Sequence, residues 1–405
     1  MSETTKERAE RVSLKQVRLV LFFTENMSIL SWDKSGLLDR EVAIYRALQP
    51  HLGGITFVTY GDKRDLAFST RLPGIEILYN YWRLSPTWYG RWLALTAQSL
   101  RRGQVIYKSN QMRGSELPLW LSRLFSKPFL SRCGFSFSFT MRKREGEKAE
   151  STQKALALEK KAYSRASHIV VTTPQIKSLV IEEHAIDAEK ISVIPNYVDT
   201  ELFCPKPVTP TPGNRLIFIG RLESEKNLFN LIEAVKCLNL ELRIVGDGNL
   251  REKLEHHAKE LGSNVRFLGV KPHVELPKLL NASTAFILPS LYEGHPKTLL
   301  EAMSCGLPCI GSDIPSIRGV IEPGKNGLLC GIRPEEIRKM VEVLFNDTAL
   351  QAKLGQSARQ YSLNNLTIDK TVERELAVLR KIIHRSSRAA TTLSSSTDRS
   401  SPDIS

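Results

Sequence analysis

Two series of short apolar runs, each alternating with amphipathic segments, constrain the fold of this chain more than any other feature. In the first series, residues 16–23 (QVRLVLFF) and 54–61 (GITFVTYG) flank residues 36–51, whose apolar positions have helical spacing. Alternation of buried strands with helices predicts a mainly parallel sheet covered on both faces. Further strands of this series are expected at residues 104–110, 128–134 and 168–173.

A second series follows a proline-rich stretch that has the composition of a linker. Its strands are expected at residues 215–222, 242–248, 265–270, 284–290 and 308–313. The chain is therefore predicted to be an α/β protein of two doubly wound domains. In such folds ligands bind at the carboxyl ends of the strands, so a cleft is expected where the two sheets face each other.

The patterns also predict the boundaries of these parts. We expect a polar tail at 1–14, a first domain at 15–190, a linker at 191–214, a second domain at 215–364, a helix at 365–384 that returns to the first domain, and a disordered tail at 385–405. The last segment is polar and of low complexity, which favours disorder.

Composition narrows the class of protein. Hydrophobic residues make up 41% and charged residues 25% of the chain, as in soluble globular proteins. The N-terminus lacks an apolar signal-peptide core, and no apolar run approaches the ~20 residues of a membrane span. The six cysteines show neither zinc-ligand spacing nor a disulfide framework. We expect a cytoplasmic protein.

The net charge of +14 is concentrated in the first half of the chain. Residues 1–190 hold 30 Lys and Arg against 19 Asp and Glu, whereas the rest is nearly balanced. This excess indicates an anionic partner: a phosphate-bearing substrate, an anionic membrane surface or nucleic acid. No nucleic-acid recognition motif is present and the basic residues are dispersed, so nucleic acid is not expected.

The stretch SLYEGHPKTLLEAMSCGLPCIGSD (290–313) places two carboxylates beside the start of a helix. Pro296 suits the first helical turn, Glu293 lies in the loop before it, and Glu301 lies inside the helix. The free N–H groups of a helix N-terminus favour an anionic ligand. Two acids beside that ligand are unfavourable unless they accept hydrogen bonds from hydroxyl groups, which a sugar or a ribose supplies.

Two further turns follow strands of the second series. In GRLESEKN (220–227), Arg221 could bind a diphosphate through its planar fork and Lys226 as a point charge. The glycine-rich turn VGDGN (245–249) lacks the G-x-G-x-x-G dinucleotide fingerprint.

Six motifs in order give the chain a resemblance to glycosyltransferase family 4, with its two-domain GT-B fold. They are VIPNYVDTELF (193–203), IFIGRLESEKN (217–227), LRIVGDGNLREKL (242–254), VRFLGV (265–270), AFILPSLYEGHPKTLLEAMSCGLPCIGSD (285–313) and NGLLC (326–330). The resemblance implies two Rossmann-like domains, the second binding the donor, and retaining transfer from a nucleotide-diphospho-sugar without an essential metal.

The resemblance also implies roles for individual residues. Glu301 matches the acid that holds the ribose hydroxyls, Glu293 matches the acid close to the donor sugar, and Arg221 with Lys226 matches the pair that neutralises the departing diphosphate. The other donor-side matches are Gly36, Gly220, Gly246, Val270, Gly294, His295, Pro296, Lys297 and Thr298. Because the expected acceptor-side histidine is absent, Asn110, Gln111 and Arg132 are the acceptor-side candidates.

Three of the five tryptophans lie within residues 79–102 among basic residues. An amphipathic helix that packs its tryptophan face inward is the usual structure for such a pattern. The alternative is a membrane surface formed by Trp82, Trp88, Arg91 and Trp92, because tryptophan suits headgroup depth and arginine binds anionic lipid. This alternative also accounts for the excess charge.

The leading functional hypothesis is a hexosyltransferase that uses a nucleotide sugar and glycosylates a lipid-linked or cell-envelope glycan, as a peripheral protein on the cytoplasmic membrane face. The same donor chemistry on a soluble small acceptor remains open. A basic nucleic-acid-binding protein, or an inactive transferase kept as a scaffold, is the alternative from another class.

Overall fold

The computed structural model describes residues 13–207 and 213–397, with side chains up to residue 386. It has two α/β domains, each built on one parallel sheet. Most of the expected tail at 1–14 and part of the expected linker lie outside the described residues.

The first domain contains a seven-stranded sheet with the order β3-β2-β1-β4-β5-β6-β7. Its strands are β1 (Val17–Phe22), β2 (Gly54–Val58), β3 (Ile75–Leu78), β4 (Gln104–Ser109), β5 (Phe129–Cys133), β6 (His168–Val171) and β7 (Ile191–Val193). Its helices are α1 (Ile29–Lys34), α2 (Leu38–Leu48), α3 (Pro86–Thr96), α4 (Glu116–Leu124), α5 (Phe137–Glu145), α6 (Glu150–Arg165) and α7 (Pro174–His184).

The central strands of this sheet are buried on both faces. In β1, Leu19 and Leu21 belong to one apolar core, whereas Val20 and Phe22 belong to the core on the opposite face. This follows from the period of two along a strand, which sends successive side chains to opposite faces. Helices α1 and α2 cover the first core and α3 to α7 cover the second.

The second domain contains a six-stranded sheet with the order β10-β9-β8-β11-β12-β13. Its strands are β8 (Arg215–Ile219), β9 (Glu241–Val245), β10 (Val265–Gly269), β11 (Ala285–Leu288), β12 (Cys309–Ser312) and β13 (Leu328–Cys330). Its helices are α8 (Leu228–Val235), α9 (Arg251–Glu260), α10 (Leu276–Asn281), α11 (Lys297–Ser304), α12 (Pro315–Arg318), α13 (Pro334–Phe345) and α14 (Thr348–Asn365).

The chain passes between the domains at two adjacent places. Ile194 packs in the first domain and Val198 in the second, so the first crossing is only a few residues long. The return crossing follows Leu366, whose carbonyl accepts a hydrogen bond of 2.8 Å from the Val198 N–H. The expected linker therefore begins too early, because residues 191–193 form β7 and pair with β6.

The long helix α15 (Ile368–Thr397) returns to the first domain. Leu376 and Leu379 pack in the same core as α2, and the buried Glu375 pairs with Lys108 of β4 at 2.7 Å. The disordered tail expected from residue 385 is wrong as far as residue 397. No glycine or proline interrupts residues 384–397, so nothing in the sequence ends the helix there. Residues 398–405 lie outside the described part.

Within the described residues, every helix is too short or too polar to cross a membrane.

Candidate functional site

A cleft of about 900 Å³ separates the two domains at the carboxyl ends of their strands. Among the described residues, eight cations and two carboxylates line it. The cations are Arg40, Arg113, Arg132, Lys143, Arg144, Arg221, Lys226 and Lys297, and the carboxylates are Glu225 and Glu293. A cleft lined by one sign of charge concentrates ligands of the opposite sign, so this one suits an anion.

Lys226 and Glu293 form the best-defined pair in the cleft. The Lys226 Nζ lies 2.5 Å from Glu293 Oε1, and the Ser290 hydroxyl donates to the same oxygen at 2.7 Å. Lys226 belongs to the turn after β8, and Glu293 lies in the loop between β11 and α11. Both side chains are 13% exposed, so the pair sits at the cleft wall with little water around it.

Glu301 lies one turn inside α11 and is buried from the cleft. Its Oε1 accepts a hydrogen bond from His273 Nε2 at 2.9 Å and lies 3.5 Å from Arg40 Nη1. Burial raises the pKa of Glu301, but the His273 hydrogen bond and the Arg40 charge outweigh it and lower the pKa overall. Its Oε2 is buried and has no hydrogen bond donor among the described residues.

Glu41, which follows Arg40 in α2, also contacts the second domain. Its Oε1 lies 2.5 Å from Lys297 Nζ, in the first turn of α11. Burial raises the pKa of Glu41, but Lys297 and Arg40 outweigh it and lower the pKa to about 2. Burial lowers the pKa of Lys297, and Glu41 opposes that effect. Arg40 and Glu41 thus pair with residues of opposite sign across the cleft.

A third contact between the domains is centred on Glu225. This buried carboxylate lies 3.0 Å from Arg144 Nη2 of the first domain and 3.3 Å from Arg221 Nη2 of its own turn. The Arg221 side chain is 69% exposed and its guanidinium is at the cleft surface. Arg221 can therefore turn to a ligand while Arg144 remains on Glu225.

His295 joins the cleft loop to the crossing segment. The Asn196 N–H donates to His295 Nδ1 at 3.0 Å, and the Asn196 amide nitrogen donates to the His295 carbonyl at 2.8 Å. Burial, followed by the charges of Lys297 and Arg132, lowers the pKa of His295 to about 4. The ring is therefore neutral near pH 7, and because Nδ1 accepts, Nε2 carries the proton as a donor.

The acceptor-side candidates surround the same place. Arg132 donates to Asn196 Oδ1 at 3.1 Å and to the Asn110 carbonyl at 3.3 Å. Gln111 and Arg132 line the cleft, whereas Asn110 is buried behind it in a small polar cavity that Arg132 also lines. Arg132 thus has structural partners as well as a place in the cleft wall.

One wall of the cleft is apolar and is formed by α5. Phe135, Phe137, Phe139 and Met141 line it on the first-domain side. Glu159 of α6 fixes the start of this helix, accepting from the Phe137 N–H at 2.7 Å and from the Ser138 hydroxyl. The apolar wall extends the cleft beyond its charged centre.

Within the described part of the chain, Glu159, Glu183 and His184 are the one group with the spacing of metal ligands. The Glu159 oxygens already accept the hydrogen bonds at the start of α5 and contact His184 Nε2 at 3.2 Å. Glu183 pairs with Arg142 at 2.7 Å. We therefore assign the group to the support of α5 rather than to a metal.

Several predicted residues act through the backbone rather than through a side chain. A Cβ added at Gly294 would lie 2.7 Å from the Gly134 carbonyl of the first domain, so only glycine allows this approach. A Cβ added at Gly246, with φ of +133°, would lie only 1.9 Å from the Gly220 carbonyl oxygen, so this glycine lets the turns after β8 and β9 meet. Pro296 caps α11, and Thr298 lines the cleft beside it.

Gly36 and Val270, like Glu301, Gly246 and Asn110, do not line the cleft. Gly36 has a φ of +68° and lies against the backbone of residues 271–273, at the side of the cleft that leads to Glu301. Val270 follows β10 and is 56% exposed. Gly36 thus packs against the segment that carries His273, and Val270 immediately precedes that segment.

The inward packing expected for the tryptophans is wrong for two of the three. Trp82 and Trp88 are exposed, and only Trp92 packs partly against the core. Tyr89 and Leu93 fill the inner face of α3 instead, so the remaining aromatic rings point outward.

Five residues that support the cleft through buried ion pairs and hydrogen bonds were not predicted from the sequence. They are Arg40, Glu41, Arg144, Glu225 and His273. Glu225 lay within a quoted motif, and the pair Arg40–Glu41 lay in a predicted helix, where charges normally face solvent. Their partners are distant in the sequence, so spacing gave no signal for them.

Models of known protein families match both halves of the chain. Residues 55–202 match the model described as Glycosyltransferase Family 4, and residues 199–361 match Glycosyl transferases group 1. The boundary between the two models coincides with the first crossing between the domains.

Individual relatives are moderately similar. The chain is 30% identical over 273 residues to the Escherichia coli UDP-Gal:alpha-D-GlcNAc-diphosphoundecaprenol alpha-1,3-galactosyltransferase, covering 62% of this chain and 69% of that protein. It is 36% identical over 159 residues to the lipopolysaccharide 1,6-galactosyltransferase of Salmonella typhimurium, covering 37% of this chain and 44% of that protein. Among solved structures, Anabaena HepE in complex with UDP and glucose superposes with a TM-score of 0.73 at 17% identity, covering 90% of this chain and 99% of that one.

Proposed function

The chain belongs to the family 4 glycosyltransferases of GT-B fold that use nucleotide sugars, and from that premise we propose its reaction. It transfers a hexose, with retention of configuration, from a nucleotide-diphospho-sugar to a hydroxyl of a lipid-linked or cell-envelope glycan. The observation that carries the proposal is the basic cleft whose wall holds Arg221, Lys226 and Glu293, with the buried Glu301 in the helix that Lys297 begins.

The donor would lie with its ribose toward Glu301 and its diphosphate toward the cations. The free Oε2 of Glu301 supports this, since a buried carboxylate oxygen gains a hydrogen bond from a ribose hydroxyl. The first turn of α11 adds backbone N–H groups that favour a phosphate. Val270 and the backbone near Gly36 would meet the base at the far end of the donor.

Bond cleavage leaves a nucleoside diphosphate with an added negative charge. Lys226 and Arg221 would stabilise that charge, and at the mostly buried Lys226 a fixed charge is more effective than in solution. For Lys226 this requires its ammonium group to move from Glu293 toward the phosphate. Retention follows if the acceptor attacks the face that the diphosphate leaves, with a phosphate oxygen accepting the acceptor proton.

We propose that these cations act in place of a metal ion. Once Lys226 has moved away, Glu293 would accept a hydrogen bond from a hydroxyl of the donor sugar. It would not attack the anomeric carbon. His295 would donate from Nε2, since its Nδ1 is held by Asn196.

The acceptor would enter from the first domain, past Gln111, Arg132 and the aromatic wall of α5. An apolar wall beside several cations suits an amphiphile that carries a phosphate and an apolar chain. The E. coli relative acts on a diphosphoundecaprenol-linked sugar by its name, which supports an acceptor of that class. Such an acceptor would require the enzyme to work at a membrane surface as a peripheral protein.

Thermal stabilisation by nucleotide sugars tests the donor assignment directly. The melting temperature of the purified protein is measured with UDP-, GDP-, ADP- and CMP-sugars, for the wild type and for Glu301→Ala. A ligand that binds only the folded state raises the melting temperature by mass action. We expect one class of nucleotide to give a shift that Glu301→Ala removes, while Glu342→Ala, at an acid of α13 in the same domain, keeps it.

The result also separates the alternatives. If no class of nucleotide raises the melting temperature, the donor site is contradicted and the scaffold hypothesis is favoured. A donor shift together with transfer to a soluble sugar, and none to a lipid-linked one, would leave the donor assignment standing and overturn the proposed acceptor.

A further inference from the structure

The outer surface of α3 and α4 carries large apolar side chains that the core does not use. The exposed fractions are 50% for Tyr81, 66% for Trp82, 59% for Trp88, 78% for Leu95, 42% for Trp120 and 52% for Leu124. We call these six residues the aromatic face. Single exposed apolar residues are ordinary, but a group of this kind marks an interaction surface.

Packing contacts position several members of the aromatic face. The rings of Tyr81 and Trp82 meet edge to face at 4.7 Å, and the Arg91 guanidinium lies 4.6 Å from the centre of the Trp88 ring. A Cβ added at Gly90 of α3 would lie 3.4 Å from the Trp120 ring of α4. Gly90 therefore allows the two helices to approach and brings Trp120 beside α3.

The charge around the aromatic face has one sign. Residues 79–127 contain eight Lys and Arg and a single acidic residue, Glu116. Of these cations only Lys108 is buried in an ion pair with Glu375. Arg83, Arg91, Arg101, Arg102 and Arg123 are exposed. Arg83 also pairs with Asp62 at 2.6 Å.

Part of this face lies at the edge of the sheet that borders the cleft. Tyr81 and Trp82 follow the carboxyl end of β3, and Trp88 is in the first turn of α3. Gln111 and Gly134, which line the cleft, follow the carboxyl ends of β4 and β5 in the same parallel sheet. All these residues therefore lie at one edge of the sheet.

We infer that the aromatic face docks on a lipid bilayer that carries anionic headgroups. Tryptophan and tyrosine rings are suited to the headgroup region of a bilayer. The surrounding arginines would add electrostatic attraction to the anionic lipids. A second copy is disfavoured as the occupant, because a symmetric contact would press two cationic surfaces together. The inference rests on the proposed function, since a lipid-linked acceptor is what would bring the cleft to a membrane.

Vesicle co-sedimentation tests the inference with the full-length protein. The probes are vesicles of phosphatidylcholine alone and of an equal mixture with phosphatidylglycerol. Trp82→Ser/Trp88→Ser removes two exposed rings, and Arg91→Glu/Arg123→Glu reverses two charges, one on each helix. The matched controls are Phe229→Ser and Lys339→Glu, at an exposed ring and an exposed cation of the second domain.

We expect the wild type and both controls to bind the mixed vesicles and to bind phosphatidylcholine at least about tenfold more weakly. Each double variant should lose about tenfold or more of the affinity for mixed vesicles. Because the substituted side chains are exposed, melting temperatures and donor-induced shifts should stay at wild-type values.

Three results would overturn the inference. The first is that the wild type binds neither kind of vesicle, and the second is that the variants bind as tightly as the wild type. The third is that light scattering shows a wild-type dimer, whereas the Trp82→Ser/Trp88→Ser variant is a monomer. In each case an intact donor-induced thermal shift would leave the glycosyltransferase proposal standing. Vesicle binding without any donor shift would contradict the proposed function instead.

Discussion

At the scale of single residues, the carboxylate of Glu301 is held from two domains. His273 belongs to its own domain, whereas Arg40 reaches it from α2 of the other domain, 3.5 Å away. The hydrogen bond from His273 and the charge of Arg40 lower the pKa of Glu301 against the opposing effect of burial. Arg40 therefore keeps the acid ionised as an acceptor and, if Glu301 binds the donor as proposed, would tie donor binding to the contact between the domains.

Replacing Arg40 should weaken donor binding without unfolding the protein. Arg40→Met keeps the length of the side chain but removes its charge, so we expect a donor dissociation constant about tenfold higher, the typical effect of one charge-assisted contact. Arg46→Met, at an exposed position of the same helix, is the control. Titration calorimetry with the nucleotide sugar found in the thermal screen measures both. Equal affinities for Arg40→Met and the wild type would show that Arg40 has no part in the donor site.

The sequence identified the residues whose chemistry is local. Glu293, Lys226 and Arg221 lie directly after strands, and a parallel sheet places all strand ends at one edge, so their proximity could be predicted. Arg40 is 261 residues from Glu301, and only the closure of two domains brings the two together. Pairs of that kind have no signature in a single sequence.

At the scale of secondary structure elements, α15 is attached to the first domain by more than apolar packing. Lys108 of β4 and Glu375 of α15 form an ion pair in which both side chains are almost fully buried. Burial lowers the pKa of Lys108, and Glu375 opposes that effect. The pair fixes the helix against the centre of the sheet, where Leu376 and Leu379 pack beside it.

Removal of one member of this pair should be costly, because the other charge stays buried and unpaired. We expect Glu375→Ala to lower the free energy of unfolding of the first domain by about 3–5 kcal/mol. The double variant Lys108→Met/Glu375→Leu should recover most of that loss, since neither charge remains. Glu373→Ala, at the exposed neighbouring acid, serves as the control.

Urea unfolding, followed at a signal from the first domain, measures these differences. A Glu375→Ala protein as stable as the Glu373→Ala control would contradict the structural role of the pair. A double variant no more stable than Glu375→Ala would show that the packing around the pair, and not the charge, sets the cost.

Element types were predictable wherever the apolar pattern was long. The expected strands of both series are present, including the central β1 and β8. The short strands β3 and β13 were missed as strands, because four or three residues at a sheet edge do not show a period. The helix across residues 385–397 was missed because composition alone favoured disorder.

At the scale of the whole molecule, the two domains are joined by two adjacent crossings and, among the described residues, by three ion pairs across the cleft. The Val198 N–H to Leu366 carbonyl bond holds the crossings together, so they form a single narrow connection. One of these ion pairs is Lys297–Glu41, in which Lys297 lines the cleft. A donor that draws Lys297 toward its phosphates would weaken this contact between the domains.

The two-domain plan itself followed from the sequence, whereas the contact between the domains did not. Two alternating series separated by a proline-rich stretch predicted two sheets and a cleft. The relative placement depends on details such as the approach of Gly294 to Gly134, which only the folded chain brings about.

Two buried histidines predict how the stability of the whole protein changes with pH. His295 joins the cleft loop to Asn196, and His168 of β6 contacts Ser192 at 2.8 Å. Burial and nearby cations lower the pKa of each to about 4. Unfolded histidine has a pKa of about 6.5, so between pH 6.5 and 4 the unfolded chain binds protons that the folded chain excludes.

Stability should therefore fall as the pH decreases through this window. Each histidine contributes up to about 1.4 kcal/mol per pH unit, an upper estimate for a group protonated only in the unfolded state. Below pH 4.5 the ionised Glu41, with its pKa of about 2, adds a further loss. Calorimetric melting between pH 7.5 and 4 measures the effect. His168→Gln and His295→Gln should each flatten the dependence, whereas His51→Gln, at an exposed residue, should not. A melting temperature unchanged from pH 6.5 to 4 would mean that both rings accept protons in the folded protein.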